Sequence, residues 1–226
     1  MDHAEYSAQF LLPGDAVLDV GSGRGKFLCA MAELGYRAYG VETSPEYVRQ
    51  AIAAAHEREF TVVIKLGAAE QIPFSDHSFS FVNCAEVSEH IDNPAQMCAE
   101  IYRVLKPGGR CYISFHNRFG WYDYHYHLFG INWLPRSWTE PILSWLKKQK
   151  PDGKGIGRQK LTTMHYFLYR QAVRLVESTG FHVTDIRVAK IRQHYPKFAP
   201  IFLPLYYALL RPFYYNTFHF LLQMPE

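Results

Sequence analysis

Long apolar runs, paired cysteines and a strong charge of one sign are all missing from this sequence. No stretch of about 18 uninterrupted apolar residues occurs, so a membrane-spanning helix is not expected. With 24 Lys and Arg against 21 Asp and Glu, the net charge is only +3. That gives no electrostatic case for nucleic acid, and none is expected as a partner. The four cysteines, Cys29, Cys84, Cys98 and Cys111, form no CxxC pair. They suit free thiols in a reducing compartment better than a disulfide framework or a zinc site, and a cytoplasmic setting is expected. The start, MDHAEYSAQF, is acidic without a long apolar core and does not read as a secretory signal. Neither an internal repeat nor a low-complexity tract is present. What remains is 226 residues with 48% hydrophobic content, enough for one well-cored α/β domain. Aromatic content is high at 16%, much of it after residue 115.

Strands and helices alternate along the first half. Residues 16–20 (AVLDV), 37–42 (RAYGVE), 60–67 (FTVVIKLG), 78–85 (SFSFVNCA) and 110–115 (RCYISF) read as strands, with KPGG before the last as a turn. The segments between include helices that start at Ser44-Pro45 and Asn93-Pro94 and one that ends near Gly35. This rhythm predicts parallel βαβ units with right-handed crossovers. It breaks at 117–164, read as an inserted cap with a mobile basic tip around PDGKGIG. A helix (MHYFLYRQAVRLVESTG), a strand (FHVTDIRVAKI), a proline-broken aromatic stretch and a closing strand (TFHFLLQM) follow.

In VLDVGSGRGKF, the end of the first strand runs into glycines at every second position, Gly21, Gly23 and Gly25, and position 26 is lysine. The dinucleotide fingerprint needs GxGxxG, whose third glycine serves helix packing near a pyrophosphate. The spacing here argues for a ligand without a pyrophosphate. Asp19 at the strand end suits a cationic ligand better than phosphates. Glu42 ends the second strand, where an acid can take both ribose hydroxyls.

The blocks VLDVGSGRG, GVETS, GAAEQIPFSDHSFSFVNCAEVSEHI and YRVLKPGG resemble, in order and spacing over about residues 15–115, the class I S-adenosylmethionine-dependent methyltransferases. The similarity is to the subgroup that includes ubiquinone and menaquinone biosynthesis enzymes. It implies a Rossmann-like seven-stranded mixed sheet, order 3-2-1-4-5-7-6, with helices on both faces and TFHFLLQM as the antiparallel seventh strand. It implies S-adenosylmethionine as cofactor, held by Asp19, Gly21, Ser22, Gly23, Gly25, Glu42, Thr43, Ala69, Glu70, Gln71 and Cys84. One departure matters. The family usually has Gly-Asp-Ala-Glu where this chain has Gly67-Ala68-Ala69-Glu70. The adenine amino group must then be met by backbone, Glu70, Gln71 or water.

EVSEHI places Glu86, Glu89 and His90 on one face of a helical turn. The group can be a histidine base with orienting acids, a divalent-cation site such as magnesium, or a capping and packing feature. The ubiquinone-pathway O-methyltransferases and small-RNA 2′-O-methyltransferases resemble this pattern, and there it implies an ion. His116, after the fifth strand, is a second catalytic candidate. Glu86, Trp121, Tyr124, His125 and His127 are candidates for the acceptor pocket, the alternative being aromatics that cover the sheet edge. Residues 198–215 suit a membrane interface, a packing flap or a homodimer contact.

The expectation is one domain over 1–226. It comprises a cofactor core at 15–116, a cap over the acceptor site at 117–164, and a C-terminal helix, strands and aromatic flap at 165–226. Its reaction would be O-methylation of a lipid- or nucleotide-linked sugar or a prenylated quinone precursor, at or near the inner membrane face. The competitors are a soluble natural-product methyltransferase and a non-catalytic cofactor-binding subunit.

Overall fold

A computed structural model describes residues 3–148, 150–151 and 158–226. Seven strands make one sheet: β1 (Ala16–Val20), β2 (Arg37–Glu42), β3 (Val62–Leu66), β4 (Phe79–Cys84), β5 (Leu105–His116), β6 (His182–Asp185) and β7 (Thr217–Gln223). Their order is β3-β2-β1-β4-β5-β7-β6. All pairs are parallel except those of β7, which runs antiparallel to both β5 and β6. The expected topology is therefore observed.

Alternation along the central strands feeds two cores, because successive side chains leave a strand on opposite faces. Leu18, Val20, Val82, Cys84, Ile113 and Phe115 point one way, into the helices α4 (Pro94–Val104) and α6 (Tyr169–Glu177). Val17 and Phe81 point the other way, towards α1 (His3–Ala8) and α2 (Lys26–Glu33). The caps read from the sequence are in place. Ser44 Oγ accepts from Tyr47 N at the start of α3 (Pro45–His56), and Asn93 Oδ1 accepts from Gln96 N at α4.

Three readings need correction. KPGG is no free turn: β5 already begins at Leu105, and the glycines form a bulge within it. Gly108 takes φ +72°, and a Cβ on Gly109 would meet Lys106 O at 2.7 Å. FHVTDIRVAKI is only half strand. β6 stops at Asp185, whose carboxylate accepts from Arg187 N and Val188 N and so caps α7 (Ile186–His194). The proline-broken stretch is helical: α8 (Ala199–Leu205) continues as a π-helix over Tyr206–Tyr214. The wider π turn gives the ring of Pro212 room that an α turn would deny.

The insert builds its own small core from Tyr126, Ile131, Leu143, Leu161 and Met164. It contains a short hairpin, Tyr122–Asp123 with Leu128–Phe129, and the helix α5 (Arg136–Trp145). Its return limb is pinned to the end of β5, where Phe167 N donates to His116 O and His165 N donates to Glu89 O. The insert therefore sits at the C-terminal ends of β4 and β5. The glycine-rich tip at 152–157 lies outside the described residues. No described helix is long and apolar enough to cross a membrane.

Candidate functional site

The glycine loop after β1 is held by the acid after β2. Glu42 Oε2 accepts from Gly23 N (2.8 Å), and Oε1 accepts from Thr43 N (2.8 Å) and Ser44 N (2.9 Å). The three glycines differ in what they allow. Gly23, at φ +51°, has only Gly21 O at 4.0 Å from the place a Cβ would occupy, so its backbone faces open space. A Cβ on Gly21 would strike Val87 at 2.5 Å, and one on Gly25 would strike Ala51 of α3 at 2.9 Å. Gly21 and Gly25 are thus required by packing, and Gly23 is the one that leaves a cradle.

Asp19 and Asn83 form a buried cross-strand pair on the α1 side of the sheet, with Asn83 Nδ2 donating to Asp19 Oδ1 at 2.6 Å. Burial pushes the Asp19 carboxyl up to about 7; the hydrogen bond from Asn83 opposes this, and the charge of Glu42 adds to it. Asn83 Oδ1 and Ser22 Oγ are buried with no hydrogen-bond partner among the described residues. Buried polar atoms in that state call for a ligand or water. Of the remaining cofactor candidates, Ala69 is buried in the core on the α4 side of the sheet. The Glu70 carboxylate already accepts from Asp92 N and Asn93 N at the entry to α4. Gln71 is exposed, so of the groups expected to meet an adenine, backbone, Gln71 and water remain. Cys84 lies on the opposite face, its thiol 3.8 Å from Met97 Sδ, so its side chain does not line this site.

The Glu86–His90 segment is not a helical turn. Glu86 has φ +58°, and His90 N donates to Val87 O. The acids and histidines meet in another way, through His116. Its Nε2 donates to Glu86 Oε2 at 2.9 Å and lies 3.1 Å from Glu89 Oε1. That nitrogen has one hydrogen and spends it on Glu86. The Glu89 carboxylate, fully buried, receives no hydrogen bond among the described residues. Two further imidazoles approach the same oxygen, His90 Nε2 at 3.6 Å and His125 Nε2 at 3.7 Å. Possible ligand sets are therefore Glu89, His90 and His125, or Glu86, Glu89 and His116. Glu86 and His90, read together from the sequence, fall in different sets.

These contacts split the histidines by role. Burial works against a charge on His116, but the two carboxylates outweigh it and hold the imidazole protonated above its usual range. A cation of that kind orients and neutralises; it is not free to accept a proton. Glu86, with 54% of its side chain exposed, is correspondingly held below the usual carboxylate range: partial desolvation opposes this, but the bond and charge of His116 and the bond from Ser114 outweigh it. For His125 burial and the charge on His116 both lower the value. Tyr166 OH donates to Asp123 Oδ2 (2.7 Å) and lies 3.1 Å from His125 Nδ1. The Tyr166 hydrogen is thereby spent, so Nδ1 of His125 carries its own, and Nε2 of the neutral ring presents a lone pair towards Glu89. Asp123 and Tyr166 were not among the sequence candidates. His90, with 45% of its side chain exposed, is the reachable member.

The other acceptor candidates lie on an outer rim. Trp121 packs on Phe129 and Trp133, Tyr124 on Tyr122, and His127 Nδ1 accepts from Tyr122 OH at 3.0 Å. Among the described residues, none of these three forms a hydrogen bond, ion pair or ring pair with Glu89 or the histidines around it. A separate groove of about 360 Å³, lined by Ala16, Arg37, Lys65, Phe74 and Phe79 among others, opens near the starts of β1, β2 and β4, away from all of these groups.

Residues 18–113 match the methyltransferase domain family. The chain is 37% identical over 102 residues to an uncharacterized methyltransferase of Mycolicibacterium vanbaalenii, covering 45% of this chain and 39% of that one. It is 34% identical over 113 residues to a ubiquinone biosynthesis O-methyltransferase of Xanthomonas campestris, covering 50% and 47%. The matches thus span less than half of those relatives' own length. By shape, it is similar to an S-adenosylmethionine-dependent methyltransferase of Methanosarcina mazei, with TM-score 0.64, 19% identity, and coverage of 100% and 99%. It is also similar to a phosphoethanolamine N-methyltransferase 2 of Haemonchus contortus in complex with S-adenosyl-L-methionine, with TM-score 0.64, 19% identity, and coverage of 99% and 52%. A [4+2]-cyclase shares the fold at TM-score 0.62, so shape alone does not fix the reaction. Sheet order, glycine loop and domain match converge on residues 18–113, which form a methyltransferase domain with the class I S-adenosylmethionine-dependent fold.

Proposed function

We propose that this protein O-methylates an amphipathic, ring-bearing acceptor of the lipid-linked kind, such as a prenylated quinone precursor or lipid-linked sugar. The observation that carries it is the buried Glu89 carboxylate, which gathers His90, His116 and His125 at the C-terminal ends of β4 and β5. Ligands bind outside that edge in open α/β sheets. The name carried by the Xanthomonas relatives supports an oxygen acceptor.

S-adenosylmethionine supplies a methyl group on a positively charged sulfur. Gly23 leaves room for close backbone approach, Glu42 is placed to take the ribose hydroxyls, and Asp19 faces the ligand's positive charge. Ser22 Oγ and Asn83 Oδ1 find partners on binding. At the acceptor, the new carbon–oxygen bond forms as the methyl–sulfur bond breaks, and the hydroxyl proton must leave. His90 takes it, and Glu89 stabilises the imidazolium that results. His116 holds Glu86 and Glu89 in place. The described residues of the insert, 117–148 and 158–164, cap the site and exclude water.

The unsatisfied Glu89 carboxylate favours a second reading of the same cluster. With His90 and His125 it is suited to hold a divalent ion, which would lower the pKa of a bound acceptor hydroxyl.

S-adenosylmethionine and its demethylated product should each raise the melting temperature, and NAD should not. At ligand near 100 times its dissociation constant the gain is about 2.7 kcal/mol. Glu42→Gln should weaken binding roughly tenfold or more, because its amide replaces one acceptor oxygen with a donor facing backbone N–H groups. Thermal shift with NAD alone would refute the cofactor assignment. Incubation of tritium-labelled S-adenosylmethionine with lipid extracts tests the acceptor, since label confined to water-soluble products rules out a lipid.

A further inference from the structure

We propose that the helical hairpin formed by α7, α8 and the π-helix docks on an anionic membrane surface, and that the rim of the insert docks with it. This deepens the acceptor reading above and rests on it only for the claim that the acceptor is drawn from the membrane.

Phe198–Leu210 contains no charged residue. Its inward side is accounted for by Ala199, Leu203 and Tyr206, which pack on Val188 and Ile191. Its outward side should be polar in a helix bathed by water. Instead Ile201 is 77% exposed, Leu209 56% and Leu205 47%. The patch does not stop at the hairpin. Phe213 packs on Phe119 and Trp133, and Trp133 on Trp121, so the apolar surface runs onto the insert's rim. Asn117, the residue after β5, ties the two together: its Nδ2 donates to the carbonyls of Arg211, Pro212 and Tyr215.

Charge selects the occupant. Between Asp185 and Glu226 there is no acidic residue, while Arg187, Lys190, Arg192, Lys197 and Arg211 are all cationic. Arg187 and Arg211 are engaged internally, over Tyr215 and Tyr169. Arg192 and Lys197 are exposed at the base of the apolar segment. An apolar tip fringed by tyrosines and lone cations, too short to span, is the pattern of an interfacial element on anionic lipid. A second copy of this chain would bring like charges together at the same place.

The test is flotation of the purified protein with vesicles of phosphatidylcholine alone and of phosphatidylcholine mixed with phosphatidylglycerol. Binding is expected on the mixed vesicles. It should fall about tenfold per residue in Ile201→Ser, Leu205→Ser and Leu209→Ser. In the double variant Arg192→Gln, Lys197→Gln it should fall roughly 30-fold, about fivefold per charge. Tyr206 is the wrong target, since it is buried and donates to Asp185. Thermal stabilisation by S-adenosylmethionine is read on every variant and should not change; its loss in the parent protein would be a failure of the cofactor reading and not of this one. Absence of flotation, flotation indifferent to phosphatidylglycerol, or a dimer that the serine substitutions dissolve would each overturn the proposal. If the serine variants fail to fold, the charge variant decides alone.

Discussion

His90→Ala should lower methyl transfer about 10²–10⁴-fold while leaving S-adenosylmethionine affinity unchanged. His90 is the exposed member of the cluster, with Nε2 3.6 Å from a fully buried carboxylate oxygen. Its neighbours cannot substitute. His116 is committed as a cation between Glu86 and Glu89, and His125 is fixed through Nδ1 by Tyr166. The ion-bound reading gives a different pattern. Chelation would then abolish turnover, and Glu89→Gln and His125→Ala would be as damaging as His90→Ala, because each removes a ligand. Glu86→Ala would be milder, since Glu86 is not in the set with His90 and His125. Labelled methyl transfer, with and without chelator, separates the cases. Activity that survives both chelator and His90→Ala would remove the cluster from the chemistry, leaving proximity alone.

Cofactor affinity should climb about tenfold per pH unit between about 5 and 7 and then level off. The cause is Asp19, raised to about 7 chiefly by burial. Below that pH the empty site holds a neutral carboxylic acid, and binding a cationic ligand must first expel the proton. The sign for folding is opposite. A carboxyl whose folded value lies above its unfolded value of 3.8 stabilises the empty protein at low pH. That contribution is lost as pH rises towards 7, and amounts to roughly 4 kcal/mol at most. Asp19→Asn keeps the bond from Asn83, so it should bind weakly at every pH and raise the melting temperature of the empty protein at pH 8. Calorimetry in buffers of different ionisation heat checks this directly. Proton release near pH 6 in the parent and none in the variant is expected; release that persists in Asp19→Asn would place the titration elsewhere.

The central sheet could be read from the sequence because parallel strands buried on both faces appear as short apolar runs, and Ser44 and Asn93 announce their helices by capping chemistry. The position of Cys84 was also legible in principle. Asn83 pairs with Asp19, so its neighbour must point to the opposite face. The Glu86–His90 turn misled because i, i+3 and i+4 spacing implies a helix only if the backbone is helical, and Glu86 is left-handed. Glu70 looked free because its partners are backbone amides 22 and 23 residues away. Nothing local could have named Asp123 and Tyr166, which meet across 43 residues once the insert has folded on itself.

The four thiols give the molecule a chemical clock. All are buried, and burial lifts Cys98 to about 12 and Cys84 and Cys111 well above the ordinary thiol range. A thiol in that state is nearly inert to alkylation and oxidation, because only the thiolate reacts. Modification must then wait for the polypeptide to open. Cys84, Cys98 and Cys111 sit in the core under α4 and α6, whereas Cys29 is carried by α2 on the reverse side. Labelling all four at one rate reports the molecule opening as a unit. Faster capture of Cys29 reports the α2 side loosening first, a sub-global event seen without any added probe.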